Sequence, residues 1–294
     1  MNERRMRVLH IQNLAGVATV LSRAQRKYGN KSDVIVLDHH PFGFEEDFVY
    51  PSSRLRGVRY LNDLLTKWGP DYDVFHFHDG PVRTFRFFLD YGILKHLFHK
   101  KTVYLYHGGS LRKAHRREPY ERFNRKLTKI YVSMPDLIQY TKARAEWIPN
   151  PVDLPVWQPV EKEPSETVRI LHYPTTTREY YQGKTSVEVA LDRLKSEGYA
   201  IEKLLVTDVP HRDMPRLIAS SDIVVDKVAR AIGWYGILAV EALAMRKPVL
   251  AYIDPRLEDY MPFDPFIRTT PETVYNDLKA LIEDEQLRRK YGDK

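Results

Sequence analysis

The feature of this 294-residue chain that most restricts its fold is a repeated alternation of short, β-rich apolar runs with stretches of helical spacing. In the first half the runs 8–11, 33–37, 74–78, 102–106, 129–132 and 147–148 read as strands, and helical spacing occupies 17–28, 53–68, 82–98 and 135–141. The series starts again after residue 165, with strands expected at 168–172, 202–206, 223–225, 249–252 and 266–267. Helices are expected there at 184–197, 213–220, 236–245 and 271–284. Strands separated by helices need crossover connections, which dictates parallel sheets and an α/β class. Pro149, Pro151, Pro155, Pro159 and Pro164 suit neither element. The expected organisation is therefore two doubly wound domains, 1–150 and 165–294, joined by a proline-rich connection over 151–164.

Composition narrows the classes further. With 43% apolar and 29% charged residues the chain is ordinary globular material, long enough for two cores. No run of 18 apolar residues exists and the first residues lack a signal-peptide core, so a soluble, cytoplasmic protein is expected. The absence of cysteine excludes disulfides, thiolate zinc sites and cysteine nucleophiles. Charge is divided unevenly. Residues 1–150 hold 26 Lys and Arg against 15 Asp and Glu, a net +11, whereas 151–294 hold 20 against 24, a net −4. The basic half could meet phosphate, nucleic acid or an anionic membrane, or be a solvated surface.

Unusual residues collect where strands should end, the edge at which open α/β sheets bind ligands. In the first half these are Asn13 and Gly16, then His78 and Asp79, then His107, Gly108, Gly109 and Ser110 with Arg112 a turn later. The glycines allow backbone N–H groups to approach a polar ligand. A histidine at a strand end can bond a hydroxyl or move a proton, or be structural. His76 and His78 share a strand face and with His107 raise a metal site, but no carboxylate stands at a supporting spacing, and none is expected. Asp71-Tyr72-Asp73 has the form of a metal-binding DxD, yet it precedes its strand and belongs at the opposite edge, as a turn.

In the second half Gly233, Trp234, Tyr235 and Gly236 open a helix of small apolar residues interrupted by one carboxylate, Glu241. An unpaired charge in such a helix costs several kcal/mol. Ribose hydroxyls would suit it, with the helix N-terminus facing phosphate; exposure on an amphipathic helix is the plainer alternative. Arg178 and Lys184 stand at a loop-to-helix entry, where cations can stabilise a departing diphosphate or simply be solvated.

Asn13–Gly16, His107-Gly-Gly-Ser-Leu-Arg112, Ile148-Pro-Asn-Pro-Val-Asp153 and, most specifically, Gly236–Pro248 resemble the GT-B glycosyltransferases of the retaining family 4 kind over nearly the whole chain. The resemblance implies two Rossmann-like domains facing a central cleft, the first binding the acceptor and the second a nucleotide-sugar donor such as a UDP-sugar. It implies transfer to a glycan, lipid-linked or small-molecule hydroxyl without metal or other cofactor. Glu241 matches the ribose-binding glutamate, with Gly16, Asp226, Gly233, Trp234, Tyr235 and Gly236 also on the donor side. Arg178 and Lys184 resemble the basic pair at the diphosphate, and His107 the histidine near the transferred sugar. His78, Asp79, Gly108, Gly109, Ser110 and Arg112 fall on the acceptor side. Two departures stand out: Gly233 occupies the place of the family's first glutamate, and Lys184 is displaced by two positions from the usual lysine. A silent sugar-nucleotide binder, a GT-B epimerase and a nucleic-acid-binding protein are the other classes. No nucleic-acid motif is present, so none is expected as partner. Arg83, Arg86 and Lys95 with nearby aromatics allow a peripheral contact at the inner membrane face.

Overall fold

The structure, a computed structural model, describes residues 5–79, 89–114, 118–162, 165–173, 184–207 and 209–294. The chain forms two compact units, Met1–Pro151 and Val152–Lys294. The first is built on seven parallel strands, β1 (Arg7–Ile11), β2 (Lys31–Val36), β3 (Phe48–Val49), β4 (Val74–His78), β5 (Lys101–Tyr106), β6 (Lys129–Val132) and β7 (Ala145–Trp147). Their order is β3-β2-β1-β4-β5-β6-β7. The second carries β8 (Val168–His172), β9 (Ile201–Leu205), β10 (Ile223–Val225), β11 (Val249–Ala251) and β12 (Ile267–Arg268) in the order β12-β11-β10-β8-β9, again all parallel. Strand order reverses between β1 and β4 and between β8 and β10. These are the switch points where loops diverge and leave a crevice.

Alternation along the strands sorts the first sheet into two unlike faces. Leu9, Ile11, Phe75, Phe77, Tyr104 and Tyr106 are fully buried on one, where the Phe77 and Tyr104 rings stack at 4.5 Å. The other face brings His10 level with His76 and carries His78 two residues on. Helix Val17–Lys27 covers it, packing Ala18 on Val34 and Val36 and donating from Ser22 Oγ to the Ser32 carbonyl. In the second unit, Val187, Leu191 and Leu194 of helix Lys184–Ser196 and Val274, Leu278 and Leu281 of helix Val274–Glu283 recur at helical spacing. They pack against Ile170, Ile223, Val225 and Leu250.

Some elements differ from the sequence reading. The stretch 53–68 is a helix over Arg56–Asp63 that widens into a π-helical turn at Leu64–Trp68, ahead of Gly69 and Pro70. Pro70 has no N–H with which to continue the ladder. Pro135–Tyr140 is a 3₁₀ helix, β3 was not foreseen, and the chain ends in a further helix, Glu285–Gly292. Within 82–98, residues 82–88 lie outside the described residues and Leu89–Leu97 is helical, its second half π-type. Asp73 lies at the N-terminal end of β4, where it accepts from the Arg7 backbone and guanidinium at 3.1 and 3.0 Å. That edge is opposite the strand ends that carry the candidate site. Among the described residues no helix is long and apolar enough to cross a membrane.

Candidate functional site

In the first unit the strand ends next to the switch point are braced from below. The buried amide of Asn13 donates to Thr19 Oγ1 at 2.8 Å and to the Glu45 carbonyl at 3.3 Å, which fixes the loop after β1. Gly16 follows with φ +73°, and the Phe44 ring lies 3.0 Å from where its Cβ would stand. After β4, Asp79 has φ +67° and its Oδ1 accepts from the His107 backbone N–H, tying the β4 and β5 loops together.

Beneath these loops runs a line of imidazoles. Gln25 Oε1 faces His10 Nε2 at 3.0 Å, His10 Nδ1 faces His78 Nε2 at 3.1 Å, and His78 Nδ1 faces His107 Nε2 at 3.2 Å. Burial lowers the His10 and His107 pKa values to about 4, opposed at His10 by the Gln25 contact and at His107 by the Asp79 charge. It holds His76 and His78 well below the ordinary imidazole range. All four are therefore neutral near pH 7. His78, expected on the acceptor side, is only 1% exposed and lies under His107.

Arg112, also expected on the acceptor side, is tied into the fold. Its guanidinium is engaged by the buried Asp136 carboxylate, at 2.7 Å from Nη2 and 3.2 Å from Nε. That contact pins helix Gly109–Ala114, which also contains Ser110, to the turn after β6. Gly108 shows why this loop needs glycine: φ is +140°, and a Cβ would stand 2.9 Å from both Arg112 Nη1 and Met134 Cε. Gly109 has no such constraint.

In the second unit Asp226, just past β10, accepts from the Gly236 N–H at 2.5 Å and so closes the turn that starts helix Ile237–Ala244. One carboxylate oxygen of Asp226 is thus occupied by the backbone. Glu241, 4% exposed, lies in the second turn of that helix, with Oε1 2.7 Å from His211 Nε2. Burial raises its pKa and the His211 contact opposes the rise. Trp157, buried within the proline-rich connection, sets its ring edge-on to His211 at 5.4 Å. Neither His211 nor Trp157 was singled out in the sequence, because each lies at least 30 residues from Glu241 and carries no motif.

Gly233 has φ +67°, and its Cβ would stand 2.7 Å from Asp254 Cβ. No glutamate fits there without moving Asp254, itself paired with Arg256 at 2.6 Å. Trp234 is 1% exposed, 4.9 Å from Tyr235, which in turn lies 5.0 Å from Phe266. Trp234, expected on the donor side, packs beneath the turn. Lys184 begins its helix, and Arg178 lies outside the described residues.

No protein-family model matches the chain, and no curated protein matches it in sequence. Solved structures do. HepE of Anabaena in complex with UDP-glucose matches with a TM-score of 0.64 at 16% identity, over 98% of this chain and 93% of that one. An α-glucosyltransferase in complex with UDP and a 13-mer DNA containing an HMU base matches at TM-score 0.68 and 12% identity, over 99% and 94%. A UDP-forming trehalose-phosphate synthase from Burkholderia xenovorans matches at 0.56 and 10%, over 99% and 94%. These likenesses run through both units, and with the two parallel sheets they establish that the chain has the GT-B fold.

Proposed function

We propose that this protein transfers a hexose from a nucleoside-diphosphate donor, with a UDP-sugar the first choice, to a hydroxyl acceptor. The observation that carries the reading is the full-length likeness to glycosyltransferases seen with UDP or UDP-glucose. The buried Glu241 beside the switch-point turn of the second unit agrees with it. In this reading His211 holds one Glu241 oxygen and the ribose hydroxyls bond the carboxylate, while the N-terminus of helix Ile237–Ala244 faces phosphate. Arg178 and Lys184 neutralise charge on the departing diphosphate. His107 bonds the transferred sugar, and the acceptor lies on the first unit.

The reaction is assigned as retaining and independent of metal at the diphosphate. The bond from the anomeric carbon to phosphate breaks, the bond to the acceptor oxygen forms on the same face, and the acceptor proton passes to the leaving phosphate oxygen. Protein groups then chiefly position the reactants and stabilise charge. A glycan, a lipid-linked sugar or a small alcohol is the acceptor. The +11 charge of residues 1–150 and the DNA bound to one similar enzyme place a nucleic-acid acceptor in the test panel as well.

Calorimetry with UDP, GDP, ADP and TDP and their hexose conjugates tests the donor assignment. One nucleotide should bind, and Glu241→Ala should lose that binding while keeping the far-UV circular dichroism spectrum. If no nucleotide binds, the transferase reading fails. Binding without release of free nucleotide on addition of any acceptor would favour the silent binder that Gly233, in place of the family's first glutamate, also suggests. An inverted product anomer would overturn retention alone.

A further inference from the structure

The imidazole cluster under the first sheet's strand ends does more than the transfer reaction asks of it. His10, His76 and His78 each offer one ring nitrogen, and these three atoms lie within 4.8 Å of one another, all buried. Parallel register places His10 opposite His76, and the two-residue period adds His78 to the same face. We propose that His10, His76 and His78 form a binding site for one divalent first-row transition cation of the Zn²⁺ class, separate from the donor site.

Several observations converge on it. Nitrogen ligands about 2.0–2.1 Å from a tetrahedral zinc stand about 3.3 Å apart, and His10 Nδ1 and His78 Nε2 are 3.1 Å apart. The remaining nitrogens of those two rings are held by outer groups, as ligating histidines require. His10 Nε2 faces Gln25 Oε1, which also accepts from Ser32 Oγ at 2.7 Å, and His78 Nδ1 faces His107 Nε2. His76 Nε2 is buried without a hydrogen-bond partner among the described residues, in a side chain only 8% exposed. An imidazole nitrogen left so is costly, and a metal bond would account for it. A set of three nitrogens with no oxygen ligand disfavours Mg²⁺ and Ca²⁺ and suits Zn²⁺, Co²⁺, Ni²⁺ or Cu²⁺. The sequence pairs His76 and His78 with His107; the structure supplies His10 in the ligand set instead and moves His107 to the outer shell.

Occupancy would also set the tautomer of His107. In the metal-free chain His10 donates from Nε2 to Gln25, so His10 Nδ1 accepts from His78 Nε2–H and His78 Nδ1 accepts from His107 Nε2–H. With a cation on His10 Nδ1 and His78 Nε2, the His78 proton moves to Nδ1 and bonds His107 Nε2, and the His107 proton moves to Nδ1. No proton is gained or lost. The ion would thus change which nitrogen of His107 donates, without touching the ligand that His107 faces.

The test uses the untagged full chain, stripped with a chelator and titrated with Co²⁺ and, in competition with a chromophoric chelator, Zn²⁺. One equivalent of Co²⁺ should bind with the intense visible bands of a tetrahedral site and be displaced by Zn²⁺. Gln25→Leu, which leaves all three ligands, should weaken Zn²⁺ about 10-fold, and His76→Leu about 100-fold or more. Nitrogen-15 spectra of the imidazoles should show the His107 proton moving from Nε2 to Nδ1 on loading. Should His76→Leu fail to fold, the wild-type cobalt spectrum, the Gln25→Leu affinity and the tautomer shift decide. Absence of stoichiometric binding, weak octahedral cobalt bands, or unchanged Zn²⁺ affinity in a folded His76→Leu variant would overturn the proposal.

Discussion

Both units place polar side chains beside the switch point of a parallel sheet, but they stabilise them by opposite means. The first relies on imidazoles kept neutral by burial and bonded to one another and to an amide. The second relies on carboxylates, each with a fixed donor: Asp226 with the Gly236 N–H, Glu241 with His211, Asp254 with Arg256. A neutral network tolerates a low-dielectric setting but fails once protonated; Glu241, whose pKa burial raises, is relieved by a proton, whereas Asp254, held low by its Arg256 hydrogen bonds, is not. The imidazole line and Glu241 should therefore respond to acid with opposite signs.

The largest expected effect follows from that difference. In the metal-free protein His10 and His107 have folded pKa values of about 4 against about 6.5 when unfolded. Between those values the unfolded state binds more protons, so their contribution is fully present above pH 6.5 and is lost as pH falls toward 4. The slope is about 1.4 kcal/mol per pH unit for each such histidine. Around His10, Asp33 and Asp47 favour protonation and Arg26 opposes it; Asp79 favours it at His107. Glu241 runs the other way, because its raised pKa makes the folded state bind the extra proton above the usual carboxylate range. Hydrogen exchange read by mass spectrometry between pH 7 and 4.5 should show β1, β4 and β5 opening before β8, β10 and β11. Equal or reversed loss of protection would break the comparison.

Backbone constraint is the next test, and here the units should behave alike. Gly233→Ala meets both a positive φ and Asp254 Cβ at 2.7 Å, so a loss of about 1–3 kcal/mol is expected in urea unfolding. Gly233→Glu, which restores the carboxylate of the resembled family, should be worse still and gain no activity. In the first unit Gly108→Ala should cost at least as much, since φ +140° suits glycine almost alone and one of the obstructing atoms, Arg112 Nη1, belongs to a guanidinium held by Asp136. Its neighbour Gly109 begins a helix with nothing within 4 Å of an added Cβ, so Gly109→Ala should be neutral or stabilising by up to about 1 kcal/mol. A costly Gly109→Ala would show that this glycine serves an approaching ligand.

The helix N-terminus of the second unit gives a smaller effect. Asp226→Ala removes the acceptor of the Gly236 N–H, and loss of such a cap costs about 0.5–2 kcal/mol. Asp226→Asn keeps an oxygen there and should recover much of that loss. If Asn instead matches Ala in stability but alone abolishes donor binding, the carboxylate serves the ligand more than the turn.

These comparisons also show what the sequence could disclose. Both sheets and most strands were legible because parallel strands repeat short apolar runs between amphipathic helices, and the wrong-edge position of Asp71–Asp73 followed from strand direction alone. Glu241 was legible as a buried carboxylate because nothing else in its helix is charged. Its partner was not, since His211 reaches it across 30 residues through a 3₁₀ turn that leaves no periodic signal. His76 and His78 betrayed a shared face by their spacing, whereas His10 joins them only through the β1–β4 register, which no local pattern encodes. Trp234 and Arg112 looked available for ligands by type and position. Burial under Tyr235 and capture by Asp136 are facts of packing, outside the reach of residue type.

The smallest expected effect concerns the edge of the first sheet away from both candidate sites. Asp73 accepts from the Arg7 backbone and side chain in a half-exposed pair that lowers the Asp73 pKa, chiefly through the Arg7 hydrogen bond. Exposed ion pairs contribute little and are screened by salt, so Asp73→Asn should shift the melting temperature less than the Gly233, Gly108 and Asp226 variants, and less again in high salt. Its value lies in turnover. A DxD that held a metal at the donor diphosphate would make Asp73→Asn inactive and restore no activity with salt, whereas a bracket between β1 and β4 leaves turnover at the wild-type level. Loss of turnover in a variant that melts normally would move the donor chemistry to the other edge of the sheet and overturn the division of labour between the two units.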